Sequence, residues 1–487
     1  MLNLLLPTVG NDVIDRKVRK VFDEIEKMQS ESPYGNFSEH GVIEPFLLLC
    51  LLQNAVDSNM AKDETFRRVR DELMRNWPFE IEMDDEEYDE GFGDDEVPLK
   101  EDSNNRPEAK RKDEERRGVL RLKKEDVEHI IGPVLSRHFS SSIRVFDLIA
   151  GDMTTEYTSF VSLEDLCLYS GAEIFSSALR LSYSVFGDEK SINPTLAEFC
   201  ANILGVEDGM SFLDFLSGTG LSTSLIIGNK HNVDITLSDR NGFCTDYASI
   251  YSDLAGIEAK IRCSDFQEEN GDEKGRLYDR IFINPAAGEK SSSFSAPAIR
   301  RDVSAAVLKA ARLLEENGKA VVVLNSNFAF GSTPGFRETR RELVEDGWVS
   351  SVILLPSLFQ KTIVPTLVLV LTKERNDSIL MVDWTDKEKN PEYFYYEKKY
   401  MALVLRKEAE EKLKAVIENR SGDGSCLVSS SVVRDNDFNL LPSRYVGAEK
   451  KSSRGRSVAD IEEDIVHVLA RLEAESARLR GKKDGLV

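Results

Sequence analysis

The chain has 487 residues, of which 41% are hydrophobic and 31% charged, and a formal net charge of −23. That length predicts two or three domains and a large core, and the charge excludes a chain that attracts nucleic acid by overall electrostatics. No apolar run approaches the roughly 20 residues a membrane span needs, and the N-terminus lacks the basic start and cleavage site of a signal peptide.

The six cysteines are scattered without a CxxC pair. That argues against zinc or any other metal and against a disulfide framework, and fits a reducing cytoplasm.

In chain order, residues up to about 75 read as helical, with helical spacing of apolar residues at 13–28 and an apolar segment without strand alternation at 43–56. The cluster Arg16-Lys17-Val18-Arg19-Lys20 is expected to be a solvated helix face. Residues 80–96 hold much of the excess charge, in Asp84-Asp85-Glu86-Glu87, Asp89-Glu90 and Asp94-Asp95-Glu96. They open an acidic, charge-rich insertion over about 80–117, read as a solvated loop, with phosphate mimicry or docking to a basic partner as the alternative. Helical pattern resumes at 124–148. The expected division is a helical N-terminal domain (1–150), a second domain (151–446) and a linker with a C-terminal helix (447–487).

From about residue 211 short apolar strands alternate with helical stretches. Strands are expected at 211–216, 234–238, 260–263, 280–284, 319–325, 349–355 and 366–372, with helices at 303–316 and 335–345. Such alternation predicts an α/β fold with a mostly parallel sheet covered on both faces, whose ligands bind beyond the carboxyl ends of the strands. Four strand ends carry candidate residues. The first ends in Asp214-Phe215-Leu216-Ser217-Gly218-Thr219-Gly220, where glycines let backbone approach a ligand. The second ends in Asp239, at the spacing from a glycine turn that suits a ribose diol. The third is followed by Ser264-Asp265-Phe266, a pair able to bind an exocyclic amine and pack on a purine. The fourth delivers Asn284-Pro285. Singly, each Asp reads as well as a helix cap or turn residue, and Asn284 as an Asx turn.

The order of glycine turn, acidic strand end, Asp-Phe and Asn-Pro is similar to the gamma-type S-adenosylmethionine-dependent adenine-N6 DNA methyltransferases. Three further segments resemble the modification subunits of type I restriction-modification systems. They are Gly318-Lys319-Ala320-Val321-Val322-Val323-Leu324 with Phe336-Arg337-Glu338-Thr339-Arg340-Arg341, then Leu354-Leu355-Pro356-Ser357-Leu358-Phe359 running into Pro365-Thr366-Leu367-Val368, and Asp437-Phe438-Asn439-Leu440-Leu441-Pro442-Ser443-Arg444-Tyr445. The likeness spans about 190–446.

The resemblance implies a Rossmann-like methyltransferase fold with S-adenosylmethionine as cofactor. Asp214, Ser217, Gly218 and Gly220 would surround its methionine end, Asp239 its ribose, and Asp265 with Phe266 its adenine. Asn284 and the Pro285 carbonyl would hold the amino group of a flipped target adenine. An adenine in duplex DNA has to leave the stack to be reached, at a cost of a few kcal/mol.

The chain departs from the pattern in the catalytic loop, where Ala286 and Ala287 replace a second Pro and a stacking aromatic. Phe294, or a ring on a partner, is the candidate replacement for that aromatic. A Thr-Pro segment expected before the first strand occurs only as Ile192-Asn193-Pro194-Thr195, and the first turn reads Asp-Phe where the family has Asp-Pro. Two readings therefore stand: a DNA-modifying enzyme, and a catalytically degenerate scaffold or regulatory subunit.

At the C-terminus, Val458, Ile461, Ile465, Val468, Leu472 and Leu479 step in threes and fours like a coiled-coil seam. Such a helix either folds back on its own domain or pairs with another chain. The resemblance implies DNA and a specificity subunit as partners, with a restriction subunit left open.

Overall fold

A computed structural model describes residues 12–30 and, with short interruptions, 162–447, together with the dipeptides 81–82 and 122–123. The expected helices at 43–56 and 124–148, the acidic insertion apart from Ile81–Glu82, and the C-terminal seam lie outside the described residues.

Helix α1 (Asp12–Ser30) buries Ile14, Val18, Val21, Phe22 and Ile25, an apolar stripe at helical spacing. The basic cluster on its other side is satisfied locally: Arg19 pairs with Asp23 at 3.0 Å and Lys20 with Glu24 at 3.7 Å. Lys17 donates to the Asp165 carbonyl at 3.1 Å. These are the contacts of a solvated face. The buried stripe packs on α2 (Gly171–Phe186), and the Ser177 hydroxyl donates to the buried Asp15 carboxylate across the seam. A capping box starts α2: the Glu173 N–H bonds the Ser170 hydroxyl, and the Ser170 N–H bonds the Glu173 carboxylate. Helix α2 touches the α/β layer as well, so it joins α1 to the rest of the chain.

The core is a nine-stranded sheet. Its strands are β1 (Ser211–Asp214), β2 (Asp234–Asp239), β3 (Ala259–Cys263), β4 (Tyr278–Ile283), β5 (Leu314–Asn325), β6 (Val349–Leu355), β7 (Thr366–Thr372), β8 (Ser378–Asp383) and, after the separate hairpin β9–β10 (Phe394–Glu397, Ala402–Leu405), β11 (Ser425–Ser429). They lie in the order β11-β8-β6-β7-β5-β4-β1-β2-β3. Neighbours from β5 across to β3 run parallel, and β7 enters antiparallel to both β5 and β6.

Apolar residues run almost unbroken through β5, β6 and β7 because both faces are covered. On one face, Val321, Val323, Val368 and Val370 meet helices α3 (Pro194–Leu204), α4 (Leu221–Ile227), α5 (Gly242–Ala255) and α9 (Lys407–Asn419). On the other, Ala320, Val322, Leu324, Leu367 and Leu369 meet α6 (Ala296–Arg312), α8 (Pro334–Glu345, after the short α7, Asn327–Phe330) and α10 (Ser430–Asp435).

Strands 349–355 and 366–372 are as expected from the sequence. The helix expected at 303–316 ends at Arg312, because Leu314 already pairs with Tyr278 as the first residue of β5.

Asn193-Pro194-Thr195, the altered Thr-Pro segment, starts α3 with Asn193 as its N-cap. The Asn193 amide also donates to the carbonyls of Leu358 and Leu403 at 3.3 and 2.8 Å. Its changed order therefore serves to tie α3 to the segment after β6 and to the β9–β10 hairpin. Among the described residues no helix is long and apolar enough to cross a membrane.

Candidate functional site

The sheet reverses its winding at β1, with β2 and β3 on one side and β4 and β5 on the other. A crevice at the carboxyl ends of the strands belongs at this switch point. Four consecutive neighbours, β4-β1-β2-β3, carry the candidate residues. The ladder registers Leu213 against Ile281, so β4 carries Asn284 past the level of Asp214.

Asp214 closes β1 and is buried. The Leu216 N–H donates to one of its oxygens at 3.1 Å and the Thr223 hydroxyl to the other at 3.2 Å. Burial nevertheless pushes its carboxyl up to about 7; these two hydrogen bonds oppose the rise and the nearby Asp239 charge adds to it. Both of these hydrogen-bond partners are neutral donors.

The turn that follows is stitched to the end of β2. The Ser217 N–H donates to the Ser238 carbonyl at 3.1 Å, and the Gly218 N–H to Asp239 Oδ2 at 3.0 Å. Gly218 and Gly220 have φ of 52° and 81°, a left-handed conformation that disfavours side chains. A Cβ on Gly220 would also stand 3.2 Å from the Ala248 Cβ, so α5 packs directly against this turn. Asp239 Oδ1 accepts from the Asn241 N–H at 2.8 Å. Each carboxylate oxygen has lone-pair capacity beyond one backbone donor, which suits a diol.

The β3 corner is joined to the others in two ways. The Ser264 N–H donates to the Asp239 carbonyl at 3.0 Å, and the Phe266 ring packs on Phe215, centroids 5.6 Å apart. Asp265 accepts from the Gln267 N–H at 2.9 Å, an Asx turn that orients its carboxylate. The structure thus brings the residues named after β1, β2 and β3 into one continuous corner. Lys309 of α6, which the sequence did not single out, donates to the Phe266 carbonyl. A lysine at the end of a helix carries no sequence signal for this contact.

Asn284 follows β4 directly and Pro285 after it is buried. The Asn284 side-chain oxygen is buried and has no hydrogen-bond partner among the described residues. Buried acceptors are as a rule satisfied, so an acceptor left open here suits an incoming donor. Ala286, Ala287 and Phe294 lie outside the described residues. No group of three or more His, Cys, Asp or Glu among the described residues could hold a metal ion.

Residues 281–454 match the family model described as N-6 DNA Methylase. The matched stretch contains Asn284 and Pro285 and stops short of β1, β2 and β3.

The fold is similar to the methyltransferase subunit of a type I restriction-modification system from Streptococcus thermophilus, with a TM-score of 0.58 and 16% identity over 90% of this chain and 100% of that one. It is also similar to a chain of the type I R-M system solved for its complex assembly and conformational transition. There the TM-score is 0.57, with 12% identity over 97% of this chain and 99% of the other. No curated protein matches the sequence. At these identities the structural likeness establishes the α/β methyltransferase fold, and the family match supports the resemblance to N-6 DNA methylases.

Proposed function

We propose that this chain is an adenine-N6 DNA methyltransferase subunit of a type I restriction-modification-like complex. The observation that carries the reading is the orphaned Asn284 oxygen. It sits in an Asn-Pro loop, at the strand end next to the β1–β3 corner, inside the segment that matches N-6 DNA methylases.

The β1–β3 corner fits S-adenosylmethionine, which when bound supplies an electrophilic methyl group. Asp214 offers a buried carboxylate to its cationic methionine end, and the turn of Ser217, Gly218 and Gly220 leaves room for backbone approach. Asp239 suits the ribose hydroxyls, and Asp265 with Phe266 the adenine.

On the target side, Asn284 and the Pro285 carbonyl accept the two N–H groups of an amino nitrogen on an extruded adenine. Holding both protons in this way aims the nitrogen lone pair at the methyl donor, and the nitrogen releases one proton to solvent after alkylation. Such a pre-placed acceptor contributes where positive charge develops on the nitrogen.

The same reading divides the chain into a helical part (1–150), a methyltransferase domain (151–446) and a partner-binding end (447–487). In that end the seam of Val458, Ile461, Ile465, Val468 and Leu472 would pack on helices of a specificity subunit. That subunit would supply the DNA recognition for which a net charge of −23 leaves this chain ill suited.

The second reading, a methyltransferase-like scaffold, is favoured by one observation, Ala287 at the place of the stacking aromatic. Base–aromatic stacking contributes roughly 1–3 kcal/mol, so its loss handicaps base capture. Methylation of DNA by the chain with its specificity partner, abolished by Asn284→Ala, establishes the enzyme. Saturable S-adenosylmethionine binding without transfer establishes the scaffold, and activity gained on Ala287→Phe would then locate the defect.

A further inference from the structure

Lys309 has no part in the roles assigned above, yet it joins two corners of the sheet. It lies in the last turn of α6, the helix between β4 and β5. Its ammonium donates to the Phe266 carbonyl after β3, and stands 5.8 Å from the centroid of the Phe215 ring after β1. Phe215 and Phe266 pack against each other, so the amine, the carbonyl and the two rings form one cluster. A charge-assisted hydrogen bond is stronger than a cation–π contact at such a site, so of these two contacts the carbonyl is the stronger hold.

That anchor acts on Asp265 through a single rigid unit. The peptide linking Phe266 to Gln267 is planar, so fixing its carbonyl also fixes its N–H. That N–H is the donor held by Asp265 Oδ1 at 2.9 Å. Lys309 therefore grips one end of the plane and the Asp265 carboxylate is bonded to the other. Among the described residues strand β3 is the outermost of the sheet, with a neighbour on one side only. Its following turn gains from α6 a restraint that the sheet does not provide on the open side.

We infer that Lys309 is a positioning residue that fixes the Asp265–Phe266 corner and so sets its selectivity for an adenine over a purine lacking the exocyclic amine. The inference rests on the assignment of this corner to the cofactor's base. A cation in the last turn also suits the helix dipole, and that purely structural role would leave base selectivity untouched.

The test measures binding of S-adenosylhomocysteine and S-inosylhomocysteine to the full chain by calorimetry; the second ligand has a carbonyl in place of the exocyclic amine. Wild type is expected to prefer the adenosyl ligand about tenfold or more, the worth of one hydrogen bond to a charged group. Lys309→Met should bring that ratio close to one, while Lys309→Arg, which keeps a donor, preserves it. If Lys309→Met does not fold, Lys309→Ala, which likewise removes the donor, reads the same ratio. A ratio unchanged in the variant, or equal loss of both ligands, overturns the inference. Wild type binding neither ligand overturns the cofactor assignment and this inference with it, whereas an unchanged ratio leaves that assignment standing.

Discussion

The β2 and β4 corners are neighbours of the same strand and end in opposite states. At the β2 corner both oxygens of Asp239 hold backbone donors, from Gly218 and Asn241. At the β4 corner the side-chain oxygen of Asn284 is buried and holds none among the described residues. The described residues thus complete the framework on the proposed cofactor side and leave an acceptor open on the proposed target side. An unmet buried polar group costs about 1–3 kcal/mol, which makes the open acceptor an expense to folding that a bound donor would recover.

Substitution at the two corners should break this contrast in opposite directions. Asn284→Ala should lower methylation by roughly 10²–10³-fold, the usual effect of deleting one transition-state hydrogen-bonding group, in single-turnover assays with the complete complex. Its unfolding midpoint in urea should hold or rise, since the orphan is removed. A marked loss of stability would show that the Asn284 oxygen is satisfied after all. Asp239→Ala frees two backbone donors that the native turn relies on. It should weaken S-adenosylmethionine binding on the order of 10–100-fold and lower stability by about 1–2 kcal/mol. Loss of stability without loss of affinity would reduce Asp239 to a turn residue.

Asp214 sharpens the same comparison through pH. Burial first, and Asp239 more weakly, raise its carboxyl to about 7, so the free protein holds a proton there at pH 6. A cationic ligand favours the ionised form and expels that proton. Affinity for S-adenosylmethionine should therefore rise about tenfold per pH unit up to about pH 7 and level off above it. Calorimetry in buffers of different ionisation enthalpy reads the released proton directly. Asp214→Asn should flatten the profile, and a slope that survives it would assign the titration elsewhere.

Much of this site is legible in the sequence because strand ends are marked by polar residues after apolar runs. Asp214, Asp239, Asp265 and Asn284 each stand at or just after the end of their strands, and the sheet makes those strands neighbours. Less visible is everything set by packing between segments. Strand β11 follows Gly422-Asp423-Gly424 and holds only three consecutive apolar residues, so it reads like a loop. Strand β8 carries a short apolar run, Ile379-Leu380-Met381-Val382, that the alternation of strands and helices did not single out. The insertion of β7 between β5 and β6 follows from which apolar faces meet, which no local pattern encodes. The grip of Lys309 on Phe266 joins residues 43 positions apart.

A second buried carboxylate tests whether Asp214 is special. Glu410 on α9 is buried where α9 meets α3, and burial raises it to about 8; Glu198 and Glu411 add to the rise and Lys407 opposes it. Burial also pushes the Cys200 thiol up, with Glu410 contributing, so this layer is hostile to negative charge.

The sign of its effect follows from linkage. An unfolded Glu titrates near about 4.3, so between there and about 8 the folded chain holds the extra proton. Stability from this group therefore falls as pH rises through that window, and the penalty is complete above it. Glu410→Gln should be more stable than wild type by on the order of 1–2 kcal/mol at pH 9 and equal to it near pH 4, measured by urea unfolding across that range. Adding S-adenosylmethionine should leave the wild-type-minus-variant gap at Glu410 unchanged, because Glu410 sits on α9, which packs on α3, whereas the corresponding gap at Asp214 should shrink as the ligand's charge neutralises the carboxylate. If the ligand moved both gaps equally, Asp214 would be one more buried acid and the cationic end of the ligand would have to sit elsewhere.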